Sequence, residues 1–498
     1  SRTGDLAGAE RELRELLRLR PSYRSAQVAL GGLLRKQGAH SEAIEVLRGA
    51  ASSGGNEERA RALVALGAAY LSAERREEAE KSFEQAILFA PARAEVRLGI
   101  ARAWLSGGSR EDQEKAMALL LRTAELAPDL APVHAALGRA QERRGDEEAA
   151  EAAYTRALQL DPDYRYVRRR LLRLAVGRRD YARARFEAQR LLRDAPEVPE
   201  HHFLAALVAE RDGELDEARA HYQAAIKQAG GDYPEAFLNL GRLEKGAGRP
   251  ERALEAYEQA LRLRPDYLAA YNNLGSLYAS TGRLAEAEAT YRKAIELDAS
   301  YASAWYNLGE LYKDQKRYAE AISAYQGALK ARPGHAPTQL NLGVSYIRSG
   351  QREEALATYR TLVAQHPRYV AAWYNMSLAL EAGGQRAEAI EALRQALTLD
   401  SGHVPSLRKL AEFEVREGLL VEARRAYEEL LDLRPADLGA RVAHAEVLGL
   451  LGDRAGCEQR ARALSVESPT DEQVRTLLGR CRAAKAAPPS SLLGRKTE

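Results

Sequence analysis

Large and small apolar residues recur along this 498-residue chain with a period of 34, most clearly between residues 268 and 335. Within one period, large residues are expected at positions 4, 7, 11 and 24, and small residues at positions 8, 20 and 27. Spacings of three and four place each set on one face of a helix. A Gly near position 15 and a Pro near position 32 supply the turn between the helices and the end of the second helix. The pattern therefore predicts a stack of helix pairs, one pair in each repeat.

The repeats can be followed through nearly the whole chain. Residues 1–23 supply the second helix of a truncated repeat, residues 24–233 an N-terminal array with short insertions, and residues 234–471 a regular array of 34-residue repeats. Residues 472–487 are expected to form a capping helix over the last apolar face, and residues 488–498 a flexible tail. The thirteen full repeats are expected to begin at Arg24, Ala60, Ala94, Ala131, Arg165, Pro199, Pro234, Leu268, Ala302, Ala336, Val370, Val404 and Leu438.

One repeat shows the pattern with aromatic, leucine and small residues at its fixed positions. These residues are Trp305, Leu308, Gly309, Tyr312, Ala321, Tyr325, Ala328 and Pro333. The pattern resembles the tetratricopeptide repeat family. The resemblance implies an all-α fold, a right-handed superhelical solenoid of helix-turn-helix repeats. It also implies that first helices line a concave surface that usually binds a peptide or protein segment. We therefore expect a non-enzymatic interaction scaffold or adaptor that binds an extended or helical segment of a partner protein.

The composition gives no sign of a nucleic-acid or membrane protein. The 74 Lys and Arg residues nearly balance the 71 Asp and Glu residues, and the net charge of +3 gives no long-range bias toward nucleic acid. No apolar run is long enough to predict a transmembrane segment, and no signal peptide is visible. The excess of Arg over Lys favours a bacterial source with a GC-rich genome. We expect a soluble protein, with the cytoplasm favoured over the periplasm.

The sequence contains none of the common catalytic or metal-binding motifs. There is no Gly-rich phosphate loop, no His-Glu-x-x-His motif and no Cys-x-x-Cys pair. The densest histidine group, His201, His202 and His221, is expected to be packed rather than bound to metal. Cys457 and Cys481 give neither a disulfide framework nor a zinc spacing, and Cys457 is expected to be a buried packing residue. We therefore expect no enzyme, no cofactor and no metal.

Asparagine occupies position 6 in five consecutive repeats and in none of the other eight. In tetratricopeptide repeats this position faces the groove, and a carboxamide can pair with both the C=O and the N–H of an extended peptide. The row is similar to the asparagine ladder of O-linked N-acetylglucosamine transferases. The alternative is that the asparagines only accompany well-formed repeats, since Asn is common here in the family. The predicted partner-binding residues are Asn239, Asn273, Asn307, Asn341 and Asn375, with Asn272, Tyr306 and Tyr374 at position 5.

The repeat at residues 165–198 is a second candidate site, with eleven Arg against four acidic residues. If Arg169 and Arg173 face the groove, they would hold an acidic segment of a partner through bidentate pairs. A solvated arginine-rich face is the alternative. Nucleic-acid binding is disfavoured, because the basic stretch is short and the whole chain is near neutral.

Two other functions remain open at this point. The chain could be the regulatory or targeting region of a larger enzyme, for example a glycosyltransferase, with its catalytic domain outside residues 1–498. It could also be a structural protein that self-assembles through exposed solenoid ends. The repeat pattern begins inside a repeat, which keeps the first of these alternatives open. The sequence does not define the oligomeric state.

Overall fold

The computed structural model describes residues 6–483, and these residues form α-helices joined by short turns, without a strand among them. The predicted tail at residues 488–498 lies outside the described residues. Twelve of the thirteen first helices begin at the predicted residue, and α4 begins four residues early. The first helices are α2 Arg24–Lys36, α4 Asn56–Ser72, α6 Ala94–Gly107, α8 Ala131–Arg143, α10 Arg165–Gly177, α12 Pro199–Asp212, α14 Pro234–Gly246, α16 Leu268–Ser280, α18 Ala302–Asp314, α20 Ala336–Arg348, α22 Val370–Ala382, α24 Val404–Arg416 and α26 Leu438–Leu450.

Each first helix is followed by a second helix after a short turn. The truncated first repeat contributes α1 (Leu6–Leu19), and α28 (Glu472–Ala483) is the helix expected to be a cap. The other second helices are α3 His40–Ala51, α5 Arg76–Phe89, α7 Arg110–Leu126, α9 Glu147–Leu160, α11 Tyr181–Asp194, α13 Leu215–Gln228, α15 Pro250–Leu263, α17 Leu284–Leu297, α19 Tyr318–Ala331, α21 Arg352–Gln365, α23 Arg386–Leu399, α25 Leu420–Leu433 and α27 Arg454–Glu467.

The described residues form two compact units, 6–236 and 237–483, and the predicted boundary between residues 233 and 234 stays a prediction. In the second unit α15 packs on α16, and each second helix from α17 to α25 packs on the first helix of its own repeat and on that of the next. First helices also contact one another: α16 contacts α18, α18 contacts α20, and α20 contacts α22. Among the described residues, second helices make no contacts of that extent with one another. The first helices therefore line the more closely spaced face of this stack.

In several repeats the core between the paired helices is filled by an aromatic residue at position 24. Tyr257 and Tyr325 are fully buried. The small residue at position 8 of the facing first helix gives the ring its space, since a Cβ built on Gly309 would lie 2.6 Å from Cε1 of Tyr325. Because protein interiors are close-packed, the large ring at position 24 requires a small residue at position 8 of the helix that it faces. The prediction of an all-α solenoid of helix-turn-helix repeats is confirmed.

At position 4 two tryptophans are less buried than the pattern predicts, whereas Leu63 and Leu407 are buried at the same position of their repeats. Trp305 and Trp373 are half-buried, and each donates a hydrogen bond from its indole Nε1 to a backbone carbonyl six residues earlier. Trp305 donates to Ala299 at 3.0 Å, and Trp373 donates to Pro367 at 2.9 Å. An aromatic side chain with a polar tip suits a site with one apolar and one polar side. In these two repeats the residue at position 4 thereby connects the first helix to the turn that precedes it.

The turn at position 15 requires a left-handed backbone, and three repeats adopt it without glycine. Lys316 is one of them, with φ +60°, whereas Gly282 holds the same position one repeat earlier with φ +77°. The left-handed conformation costs an L-residue about 1–2 kcal/mol that glycine does not lose. We therefore expect Lys316→Gly to stabilise the protein by about 1 kcal/mol, measured by thermal unfolding followed by circular dichroism. Gly282→Ala should shift the unfolding temperature the opposite way, and equal shifts in both variants would contradict the assignment.

The prediction that Cys457 and Cys481 stand unbridged is wrong. The two residues form a disulfide bond, with Cα atoms 5.7 Å apart, inside the usual range for such bridges. Both side chains are buried where α26, α27 and α28 pack together. The bridge joins α27 to α28 across a sequence separation of 24. Cysteine spacing along the chain did not indicate the pair, because their proximity depends on how α28 docks.

Candidate functional site

The position-6 asparagines all lie on first helices, and two of them, Asn307 and Asn341, contact the first helix of the preceding repeat. Each of the five is half-buried. The same holds for the position-5 residues Asn272, Tyr306 and Tyr374. The structure therefore places all eight predicted partner-binding residues on five successive first helices, one or two per helix. These helices are α14, α16, α18, α20 and α22.

Four of the five position-6 carboxamides make hydrogen bonds within the protein, and two of these four make a single bond through Nδ2. Asn307 donates from Nδ2 to Oδ1 of Asn272 at 2.8 Å. Asn375 donates from Nδ2 to the backbone carbonyl of Ala371 in its own helix at 2.8 Å. Each Nδ2 group carries a second hydrogen, and neither Oδ1 atom has a hydrogen-bond partner among residues 6–483. Both side chains thus retain an acceptor and a donor for a ligand.

Asn341 is tied into the core of the repeat before it. Its Nδ2 donates to Glu310 Oε1 at 2.7 Å and approaches the hydroxyl of Tyr306 at 3.3 Å. The same Glu310 carboxylate accepts a hydrogen bond from the buried hydroxyl of Tyr325. Burial and this carboxylate raise the pKa of Tyr325 well above its usual range. Asn341 therefore has a structural role besides any role in binding.

The other two position-6 residues differ in their surroundings. Asn239 accepts a hydrogen bond from Arg242, the residue one helical turn later, at 3.2 Å. Asn273 has no hydrogen-bond partner in the part of the chain that the structure describes. Its carboxamide is therefore the most available of the row. The sequence pattern made these five positions equivalent, and the side-chain contacts separate them.

Two histidines that the sequence left without a role lie against the position-5 tyrosines. The rings of Tyr306 and His335 meet edge to face with centroids 5.8 Å apart. His335 Nδ1 lies 2.7 Å from the hydroxyl oxygen of Thr338. Burial and the nearby Arg332 guanidinium lower the pKa of His335, so its ring is neutral at pH 7 and offers one N–H donor.

The same arrangement recurs two repeats later. Tyr374 and His403 have ring centroids 5.6 Å apart, and His403 Nδ1 lies 2.7 Å from the Ser406 hydroxyl oxygen. The separation of 68 residues between the two histidines equals two repeats, as does that between the tyrosines. We call each pair, Tyr306 with His335 and Tyr374 with His403, a Tyr–His module. The shared offset of two repeats was the signal in the sequence that could have indicated both modules.

The arginine-rich repeat is largely neutralised by acidic residues of the protein itself. Arg169 and Arg173 both pair with the carboxylate of Glu200, the latter at 3.3 Å. Arg168 lies buried against Glu187 at 2.8 Å. The predicted patch at Arg169 and Arg173 thus carries one uncompensated positive charge rather than two, and binding of an acidic partner there stays a prediction.

The histidine group identified in the sequence is packed. His201 is buried and its Nδ1 bonds the backbone carbonyl of Ala195 at 3.0 Å. His202 and His221 face each other with their Nδ1 atoms 3.1 Å apart. Within residues 6–483 no group of three or more His, Cys, Asp or Glu side chains is placed to hold a metal ion. In the same range no helix is both long and apolar enough to cross a membrane.

Comparison with known families gives repeated matches along the chain. Every matching model carries the description "Tetratricopeptide repeat", and together the models cover more than half of the residues. No curated protein sequence matches the chain. The matched ranges are 1–58, 60–93, 131–164, 201–266, 238–302, 290–323, 312–382 and 370–403.

Several solved structures resemble parts of the chain. MamA is 26% identical, over 32% of this chain and 95% of its own, with a TM-score of 0.31. YrrB, described as a TPR protein with an unusual peptide-binding site, is 24% identical over 38% of this chain and 96% of its own, with a TM-score of 0.33. The Cut9–Hcn1 structure is 15% identical over 82% of this chain and 87% of its own, with a TM-score of 0.38. TM-scores this low give no information about function.

Proposed function

The chain belongs to the tetratricopeptide repeat family, and on that premise we propose that it is a non-enzymatic interaction scaffold. Its binding surface is the face formed by the first helices α14, α16, α18, α20 and α22. The ligand is a segment of a partner protein that lies along this face in an extended conformation. The asparagines at position 6 contact the backbone of that segment, which makes this part of the binding independent of the partner's side chains.

One observation carries the proposal. Carboxamide oxygens recur at position 6 from one first helix to the next, and those of Asn273, Asn307, Asn341 and Asn375 have no hydrogen-bond partner among residues 6–483. An extended peptide presents backbone N–H groups at regular intervals. Each of them can donate to one carboxamide oxygen. Because Nδ2 of Asn307, Asn341 and Asn375 is already engaged within the protein, the oxygen is the principal contact atom in these three residues.

We expect the triple variant Asn273→Ala, Asn307→Ala, Asn341→Ala to lose affinity for peptides selected on the wild-type protein. Peptides of random sequence displayed on phage supply the ligands, and fluorescence anisotropy gives the dissociation constants. A hydrogen bond contributes about 0.5–1.5 kcal/mol, so removing three weakens binding by about ten-fold to a thousand-fold. Peptides of unrelated sequence should lose similar amounts, because the lost contacts are to backbone.

The matched control changes three hydroxyl residues on the second helices of the same repeats. Thr290, Ser323 and Thr358 each bond a carbonyl of their own helix, and replacing all three by Ala should leave peptide affinity unchanged. Circular dichroism establishes that both triple variants fold. If the asparagine variant binds the selected peptides as tightly as the wild type does, the proposed function is wrong.

A further inference from the structure

A polar pocket lies beside the asparagine row, between α16, α18, the end of α19 and the start of α20. Its volume is about 210 Å³. The wall is mostly polar, and no acidic side chain lines it. The polar side chains that line it are Asn272, Ser303, Tyr306, Asn307, Arg332, His335 and Thr338.

The pocket has one formal positive charge, and no acidic side chain among residues 6–483 neutralises it. Arg332 is exposed and pairs with no Asp or Glu among residues 6–483. Many other arginines of the chain are paired, including Arg317, which contacts both Glu288 and Glu320. An unpaired guanidinium beside a polar cavity favours an anionic ligand with oxygen atoms, since its N–H groups match a carboxylate in geometry.

The neighbouring side chains are oriented to add hydrogen-bond donors. Asn307 donates to Oδ1 of Asn272, which fixes the Asn272 carboxamide and leaves its Nδ2 hydrogens without a described acceptor. His335 is held by Thr338 and by the edge-to-face contact with Tyr306, and its Nε2 has no described partner. Both groups are placed by other residues before any ligand arrives, which lowers the entropy lost on binding.

The second Tyr–His module shows what is specific to this pocket. It keeps the tyrosine, the histidine, the hydroxyl residue and the position-6 asparagine, but Asp400 stands where the first module has Arg332. Asp400 accepts a hydrogen bond from the backbone N–H of Gly402 at 3.0 Å. An acidic group there repels a carboxylate, so the two modules have opposite preferences for charge.

We propose that the pocket at Arg332 binds a carboxylate group of the partner segment. Arg332 supplies the charge, and Asn272 supplies a further donor. His335 also donates, from Nε2, in the tautomer whose Nδ1 accepts the hydrogen bond of the Thr338 hydroxyl. This inference rests on the proposed function, because it assigns one side chain of the segment that lies along the asparagine row. The carboxylate comes from an Asp or Glu side chain or from the C-terminus of the segment.

The test uses small probes that do not depend on an identified partner. Methyl groups of Ala302, Ala328 and Thr338 line the pocket, and selective ¹³C labelling of Ala and Thr methyls reports on them by NMR. N-acetylglutamate N-methylamide presents a side-chain carboxylate, N-acetylalanine a terminal one, and N-acetylglutamine N-methylamide none. We expect at least one carboxylate probe to shift these methyl signals with millimolar affinity. The neutral probe should bind about ten-fold more weakly or not at all.

Arg332→Gln should abolish the shifts caused by the carboxylate probes. Arg434→Gln is the matched control, because Arg434 holds the same position three repeats later and is exposed; its spectra should respond as those of the wild type do. The probe that acts, side-chain or terminal, identifies the source of the carboxylate. Absence of shifts at these methyls, or equal shifts with the neutral probe, overturns the carboxylate site.

Failure of this site is distinguishable from failure of the proposed function. If peptide affinity falls in the asparagine variant but the carboxylate probes cause no shifts at the pocket methyls, only the carboxylate site is wrong. If the carboxylate probes bind at Arg332 while the asparagine variant keeps full peptide affinity, the carboxylate site is supported and the binding of peptide backbone by the asparagines is wrong.

Discussion

Replacing Glu187 by Ala is expected to destabilise the repeat at residues 165–198 by about 3–5 kcal/mol. Arg168 and Glu187 pair at 2.8 Å, with each side chain about 5% exposed. Arg168 also donates to the backbone carbonyl of Pro162 at 2.6 Å, so it takes the place of the aromatic residue at position 4. Removing the carboxylate leaves the guanidinium buried without a counter-charge. Hydrogen exchange of the α10 and α11 amides measures the local loss.

Two further variants separate a buried pair from an exposed one. Glu200→Ala removes the acidic partner of Arg169 and Arg173, which remain in contact with water, and should cost less than about 1 kcal/mol. The double change Arg168→Met, Glu187→Leu replaces the buried pair by apolar side chains and should recover most of the lost stability. Equal effects of Glu187→Ala and Glu200→Ala on amide exchange would show that burial of the first pair has no energetic consequence.

Raising the pH from 5 to 8 is expected to cost the wild-type protein about 2.5 kcal/mol more stability than it costs Glu414→Gln. Glu414 occupies position 11 and is 3% exposed. Burial raises its pKa from the ordinary 4.5 to about 7, although Arg394 at 4.0 Å partly opposes the shift. One of its carboxylate oxygens, Oε2, is buried without a hydrogen-bond partner among the described residues.

The sign of this effect follows from proton binding. Between pH 4.5 and 7 the folded protein keeps a proton on Glu414 that the unfolded chain has lost. The stability associated with that proton is fully present below pH 4.5 and is lost as the pH rises through 7. Urea unfolding at several pH values, followed in the second unit, measures the difference between the two proteins. Glu417→Gln, an exposed neighbour, should leave the pH dependence as in the wild type, and parallel profiles for wild type and Glu414→Gln would refute the prediction.

The helix boundaries were predictable because the same pattern of apolar and turn residues recurs in thirteen repeats, so each repeat supports the assignment in the others. The exception is informative: α4 begins at Asn56 rather than Ala60. The insertion before it ends at Gly55, and Glu57 and Glu58 follow, where acidic residues stabilise the first turn of a helix. Local helix signals thus extended α4 past the point at which the 34-residue spacing would start it.

The contacts of the candidate site were not predictable, because they join residues from different repeats. The hydrogen bond of Asn307 to Asn272 crosses a sequence separation of 35, and that of Asn341 to Glu310 a separation of 31. Both depend on the angle and distance between neighbouring repeats, which apolar periodicity does not specify. The position of each Asn was visible in the sequence, whereas the atoms it leaves available to a ligand were not.

The bridge between Cys457 and Cys481 couples the opening of α28 to the opening of α27. In a linear array, repeats with few neighbours open most easily, and opening proceeds inward from them. The helix α28 packs on α26 and α27, and while the bond to α27 persists, α28 cannot detach alone. Opening then has to include α27, which raises its free-energy cost. A thiol reductant would remove this constraint, and α28 could then open without α27.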